Sequence, residues 1–169
     1  STTTQIYPLG NVLGFERSAA LYLGSEVGSG SITKLAWYSN NTVSDRPIVI
    51  YLKSTSATTL SASTWNSHTS NATLVYSGTI YPIAGWNTIT LNAPFAFDSS
   101  SGNLVVLVEA NSGGSGLGAS SNSAVRYSAA NFRHMFYRGN NTAPATNGVV
   151  NSARPNLQIS FASAAVAPS

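Results

Sequence analysis

Apolar residues recur at every second position in short runs along most of this chain, and no run of any length carries a helical period. Residues 46–54, RPIVIYLKS, put Ile48, Ile50 and Leu52 on one side of an extended chain and Val49, Tyr51 and Lys53 on the other. Successive side chains of a strand point to opposite faces, so this period of two marks a half-buried strand. Residues 31–39, SITKLAWYS, set Ile32, Lys34, Ala36 and Tyr38 against Thr33, Leu35 and Trp37 in the same way. SAALYLG (18–24), ATLVYSGTIYPI (72–83), GWNTITLN (85–92), GNLVVLVEAN (102–111), AVRYS, FRHMFYR and RPNLQISFA (154–162) continue the series. Between the runs lie Gly, Pro and Asn turn signals such as GSEVGSG, SNNTVSDRP, YPIAGWN and FDSSSGN. Many short strands punctuated this way predict an all-β chain. The expected form is an antiparallel two-sheet β-sandwich of jelly-roll type with about nine or ten strands.

Two segments break the pattern. Residues 54–71, STSATTLSASTWNSHTSN, lack alternation and read as an excursion between strands, and residues 111–123 form a Gly and Ser loop. That loop has neither the lysine nor the strand-to-helix frame of a phosphate cradle. A chain of 169 residues closes a single core. The predicted domain is 1–161, with 162–169 a small-residue linker or tail.

Only 8% of the residues are charged, against roughly 25% in an ordinary globular chain. The surface is therefore neutral and rich in hydroxyls, which suits a secreted or extracellular cell-surface module, a glycan binder or a packed assembly. The net charge of +3 comes from scarce acids and no basic stripe, so nucleic acid is not an expected partner. No apolar run nears the length needed to span a bilayer, and membrane insertion is not expected. The absence of cysteine excludes disulfides, a thiol nucleophile and thiolate metal ligation.

Reactive groups are few. The acids are Glu16, Glu26, Asp45, Asp98 and Glu109, each in a setting that has another explanation, and a glycosidase needs a positioned carboxylate pair. His68 and His134 have no motif spacing, and no serine sits in a nucleophile elbow. An enzyme is thus not expected, nor an obligatory cofactor. Calcium is the one metal the residues admit, through Asp98 and Asn103 of FDSSSGN, with Asp45, Asn40 and Asn41 as a second set; ordinary Asx turns are the better reading of both.

The aromatic residues are the better binding candidates, because a flat ring stacks on a sugar. Trp37 and Trp86 lie within strand patterns, which assigns them to the core. Trp65, beside Asn66 and His68 in the irregular segment, would mark a binding loop if exposed. Arg133 and Tyr137, in the Arg126 to Arg138 stretch, are further ligand candidates, although their alternation also fits a plain strand. Ile6 and Tyr7 near the start and Leu157, Ile159 and Phe161 near the end are candidates for assembly by strand exchange between neighbours.

The succession YLGSEVGSGSITKLAWYSN, RPIVIYLKST, LVYSGTIYPIAGWNTITLNAPFAFDSSSGNLVVLVEANSGG and RPNLQISF resembles a β-rich module of secreted and cell-surface proteins of the Bacteroidota, of the kind exported by the type IX route. It is similar to jelly-roll adhesin domains, including the cleaved-adhesin type, over most of residues 6–161. Gly85, Trp86 and Asn87, then Pro94, Phe95, Asp98 and Asn103 to Val106, carry most of the likeness. The resemblance implies an adhesive or accessory role outside the cell, with self-association or neighbouring surface proteins as partners. The expected function is a non-catalytic adhesin-like or structural surface module, with self-assembly into filaments as one form. The alternative is a carbohydrate-binding module attached to a secreted enzyme.

Overall fold

The computed structural model describes residues 2–119 and 122–163. Ten strands run in chain order: β1 (Thr4–Gln5), β2 (Phe15–Tyr22), β3 (Gly30–Ser39), β4 (Arg46–Thr55), β5 (Thr73–Ile80), β6 (Gly85–Phe97), β7 (Asn103–Asn111), β8 (Val125–Gly139), β9 (Val149–Pro155) and β10 (Leu157–Phe161). Two single-turn helices, α1 (Gly24–Val27) and α2 (Trp65–Thr69), interrupt them. The chain is all-β, and its pairings are antiparallel. Beyond residue 163, the tail expected over 162–169 lies outside the described residues.

Hydrogen bonding joins the strands into one curled ten-stranded sheet. One limb follows the order β5, β4, β7, β2, β8, with β9 against β8; the other holds β6, β3 and β10. The limbs meet where Ser39 of β3 pairs with Val125 of β8. Two strands turn this corner. β8 changes register between Ala129 and His134, with Phe132 held there at φ 54°. The chain also leaves β9 at Pro155 and enters β10 after Asn156 alone, so consecutive residues serve both limbs.

The alternation seen in the sequence sorts side chains between two apolar clusters. The larger lies between the limbs and unites Ile32, Leu35 and Trp37 of β3 with Ile89 and Leu91 of β6 and with Ile48, Ile50 and Leu52 of β4. The smaller lies on the outside of the β2, β7, β8 limb, under Leu60 and Trp65 of the β4–β5 connection. β7 serves both: Leu104, Val106 and Val108 point inward, while Val105 and Leu107 point into the outer cluster. This is why LVVLV reads as a continuous apolar run, as strands covered on both faces do.

Boundaries differ from the sequence reading at three places. AVRYS and FRHMFYR are one long strand, β8, while the closing run divides into β9 and β10. A bulge between Ile32 and Lys34 shifts the register, so Ile32 joins Leu35 and Trp37 in the core in place of the strict alternation expected. One extra residue on one strand reverses the face of everything before it. No helix among the described residues is long and apolar enough to cross a membrane.

Candidate functional site

Trp65 is buried, without the exposure that would mark a binding loop. Thr64 caps α2 by accepting from Ser67 N–H, and this turn drives the indole down onto the sheet until 2% of it is exposed. Its Nε1–H donates to Glu109 Oε1 at 2.6 Å, and its ring meets Tyr137 edge-on at 5.3 Å. Tyr137, buried as well, donates from its hydroxyl to the Ser63 carbonyl. Arg133 ties down the same cover, its Nε donating to the Thr58 carbonyl at 2.9 Å. His68 is part of the cover, on α2, where its backbone carbonyl accepts from Lys53 Nζ at 2.6 Å, and burial, aided by the Lys53 charge, pushes its side-chain pKa down to about 4. The structure thus gathers Trp65, His68, Arg133 and Tyr137 about one segment, residues 56–72, and gives each a part in holding it closed.

The other candidates are spread apart. Asp98 accepts from the Ser100 N–H at 3.0 Å and the Ser100 hydroxyl at 2.7 Å, which hold its carboxyl below the usual range. Asn103 Oδ1 accepts from Gly24 N–H at 2.8 Å and Nδ2 donates to the Ala57 carbonyl at 2.9 Å. Of the second set, Asn41 Oδ1 accepts from Ala124 N–H and Asn40 Oδ1 from Arg126 Nε–H. No group of three or more His, Cys, Asp or Glu side chains converges among the described residues. Ile6 is half-buried. Tyr7 is stacked on Phe136 at 5.2 Å, its hydroxyl pKa raised by burial and by Glu16. Leu157, Ile159 and Phe161 sit on β10, opposite Trp37, Leu35 and Ile32, and pack against the inner core.

The residue that stands out is Trp86, 42% exposed although its strand setting assigned it to the core. Along β6 the inward positions are Ile89 and Leu91, so the even-numbered Trp86, Thr88 and Thr90 face out. Gly85, at φ +111°, supplies the backbone turn that precedes it. Across the ladder Trp86 pairs with Tyr38, which it meets edge-on at 5.4 Å and 88°. The Tyr38 ring also carries the Arg126 guanidinium, 3.8 Å from its centroid.

Beside Trp86 an open cleft of about 490 Å³ runs between β5 and β6. Tyr76, Tyr81, Ile83 and Asn87 line it, with the hydroxyls of Thr79, Thr88 and Thr90, and none of its lining residues is charged. Tyr81 is 71% and Ile83 53% exposed. Asn87 fixes the turn that presents them. Its Oδ1 accepts from Ile83 N–H at 2.8 Å, while Nδ2 donates to the Ile83 and Gly85 carbonyls at 3.0 and 3.1 Å. Ile80 and Ile89 are the buried members of the lining, and Thr79, Thr88 and Thr90 are exposed. Exposed aromatic rings beside neutral hydroxyls can stack on and hydrogen-bond to a polyhydroxylated ring, and they offer nothing to an ionic ligand.

One signal for this site is present in the sequence. The turn YPIAGWN holds Tyr81, Ile83 and Trp86 where turns ordinarily hold polar residues. Comparison of the chain with protein-family models, with curated proteins and with solved structures finds no match in any of the three.

Proposed function

We propose that this chain is a non-catalytic, adhesin-like extracellular module that holds neutral carbohydrate in the cleft between β5 and β6. The observation that carries this reading is the exposed Trp86 beside an uncharged cleft with Tyr81 and three threonines. Contiguous exposed apolar side chains rimmed by polar ones mark a binding surface, and the residue types here are those that grip sugars. The carboxylates favour a non-catalytic role. Glu16 pairs with Arg138, Glu26 with Arg154, Glu109 accepts from Trp65 and Asn111, and Asp98 closes its own turn. We read the fold as a jelly-roll-type sandwich, because its two limbs enclose one apolar cluster, and the module as similar to those of type IX-secreted Bacteroidota proteins.

Trp37 and Trp65 are 1% and 2% exposed, so aqueous iodide reaches only Trp86 among the three tryptophans. The test is iodide quenching of tryptophan fluorescence while neutral oligosaccharides are titrated in. Protection that disappears in Trp86→Ala supports the reading; unprotected quenching with every sugar of a broad glycan panel removes it.

A second reading, self-association into filaments by an added strand, draws on β10, which pairs on one side with β3 and ends the sheet order. Electron microscopy and light scattering over a concentration series test it, and a stable monomer at every concentration rejects it.

A further inference from the structure

The outer face of the β6, β3, β10 limb continues from the cleft, and its cross-strand rows follow from the register. Trp86 stands opposite Tyr38. The next row is Thr88, Ala36 and Gln158, and the one after it Thr90, Lys34 and Ser160. On β3 the small Ala36 therefore lies between Tyr38 and Lys34, residues two positions away on the same face. Ala36 is 3% exposed, so its neighbours close over it and the rows form a strip of side chains. The strip consists of the half-buried Tyr38 ring with Arg126 against it and the exposed Lys34, Thr88, Thr90 and Ser160. At one end lie Thr88 and the cleft, and at the other the exposed Gln158 of β10. Neighbouring strands are about 4.8 Å apart, so the strip extends the site by about 10 Å beyond β6.

Nothing of the chain's described residues covers this face, in contrast to the outer face of the other limb. Its polar groups are a carboxamide and hydroxyls, with Lys34 and Arg126 at its margins and no carboxylate in its rows. A protein partner would meet little apolar surface here, while a sugar chain meets alternating rings and hydrogen-bonding groups.

We infer that the ligand is a linear neutral polysaccharide, gripped along an internal stretch that runs from the cleft past Trp86 and over the exposed Thr88 to Gln158. This inference rests on reading the cleft as a carbohydrate site. Tyr38 is a positioning residue: in contact with both Arg126 and Trp86, it holds the indole in its orientation before the ligand arrives.

The experiment uses the whole chain and cello-, xylo- and manno-oligosaccharides from disaccharide to hexasaccharide, with affinity measured by calorimetry and by iodide protection of Trp86. Two added hydrogen-bonding contacts predict a hexasaccharide affinity about tenfold above that of the disaccharide in one series. The double variant Gln158→Ala/Ser160→Ala, both exposed positions outside the cleft, should flatten this rise and leave the disaccharide affinity as it was. Tyr38→Leu should raise the iodide accessibility of Trp86 before any sugar is added, which loss of a merely structural contact elsewhere would not do. A hexasaccharide that binds no better than the disaccharide, or a rise that survives the double variant, overturns the extended strip while leaving the cleft standing. Absence of protection at every length overturns both.

Discussion

The two limbs of the sheet treat their outer faces in opposite ways. On the limb of β2, β7 and β8, the β4–β5 connection folds back and buries Trp65 and Leu60 against Val105, Leu107 and Met135. On the limb of β6, β3 and β10, no segment among the described residues folds over the outer face: Lys34, Thr88, Thr90, Gln158 and Ser160 are exposed and Trp86 stands in solvent. The tryptophan in an irregular segment is thus a packing element, and the tryptophan in a regular strand is the exposed one. Exposure is a property of what lies above a face and not of whether the residue sits in a strand or a loop.

This contrast can be broken in several ways, beginning with stability. Trp65→Ala removes a fully packed indole and leaves a cavity under the cover, so urea denaturation should show a loss of about 3–5 kcal/mol. A small loss would mean that the cover contributes little to the fold and that the two faces differ less than their packing indicates.

Acid should attack the covered limb first. His68 in the cover and His134 in β8 are both pushed down to about 4 from an ordinary 6.5 by burial, His68 also by Lys53. The folded state therefore binds fewer protons than the unfolded one between these values. Their contribution to stability is whole above pH 6.5 and drains away as the pH falls toward 4, at up to about 1.4 kcal/mol per pH unit for each histidine. Denaturation midpoints measured from pH 7 to pH 4 should decline, and His68→Gln or His134→Gln should each flatten part of that decline. An unchanged slope in both variants would remove the histidines from the account.

Trp86→Ala should cost much less than Trp65→Ala, at most the edge-on contact with Tyr38, worth about 0.5–1.5 kcal/mol. It should nonetheless abolish the iodide-quenchable fluorescence and the carbohydrate protection. A loss of stability equal to that of Trp65→Ala would erase the distinction between the faces. The smallest expected effect is that of a chelator. With Asp98 closing its own turn and Asn103 bonded to Gly24 and Ala57, chelation should leave both the melting temperature and sugar binding unchanged, and a shift in either would restore calcium to the site.

Much of the fold was legible because period two in the sequence is the geometry of a strand. Ile48, Ile50 and Leu52 lie together in the inner cluster, as their spacing demanded. The exposure of Trp86 was legible too, by counting back from Ile89 and Leu91, but its place in an apolar strand pattern outweighed that parity. The Ile32 bulge was not legible, since an inserted residue leaves no mark in composition. Nor was the cover: Thr64 announces a helix cap, but nothing nearby says that the turn behind it will lie across β2, β7 and β8.

The sequence by itself determined an all-β chain, an inner apolar face on most strands and a surface almost free of charge, since these depend on residue type and on neighbours two positions away. Only the tertiary structure decided which outer face is sealed and which is open, and with it that the binding candidate is Trp86 and not Trp65. Alternation defines two faces for every strand, but whether the second is covered depends on a segment brought back from elsewhere in the chain.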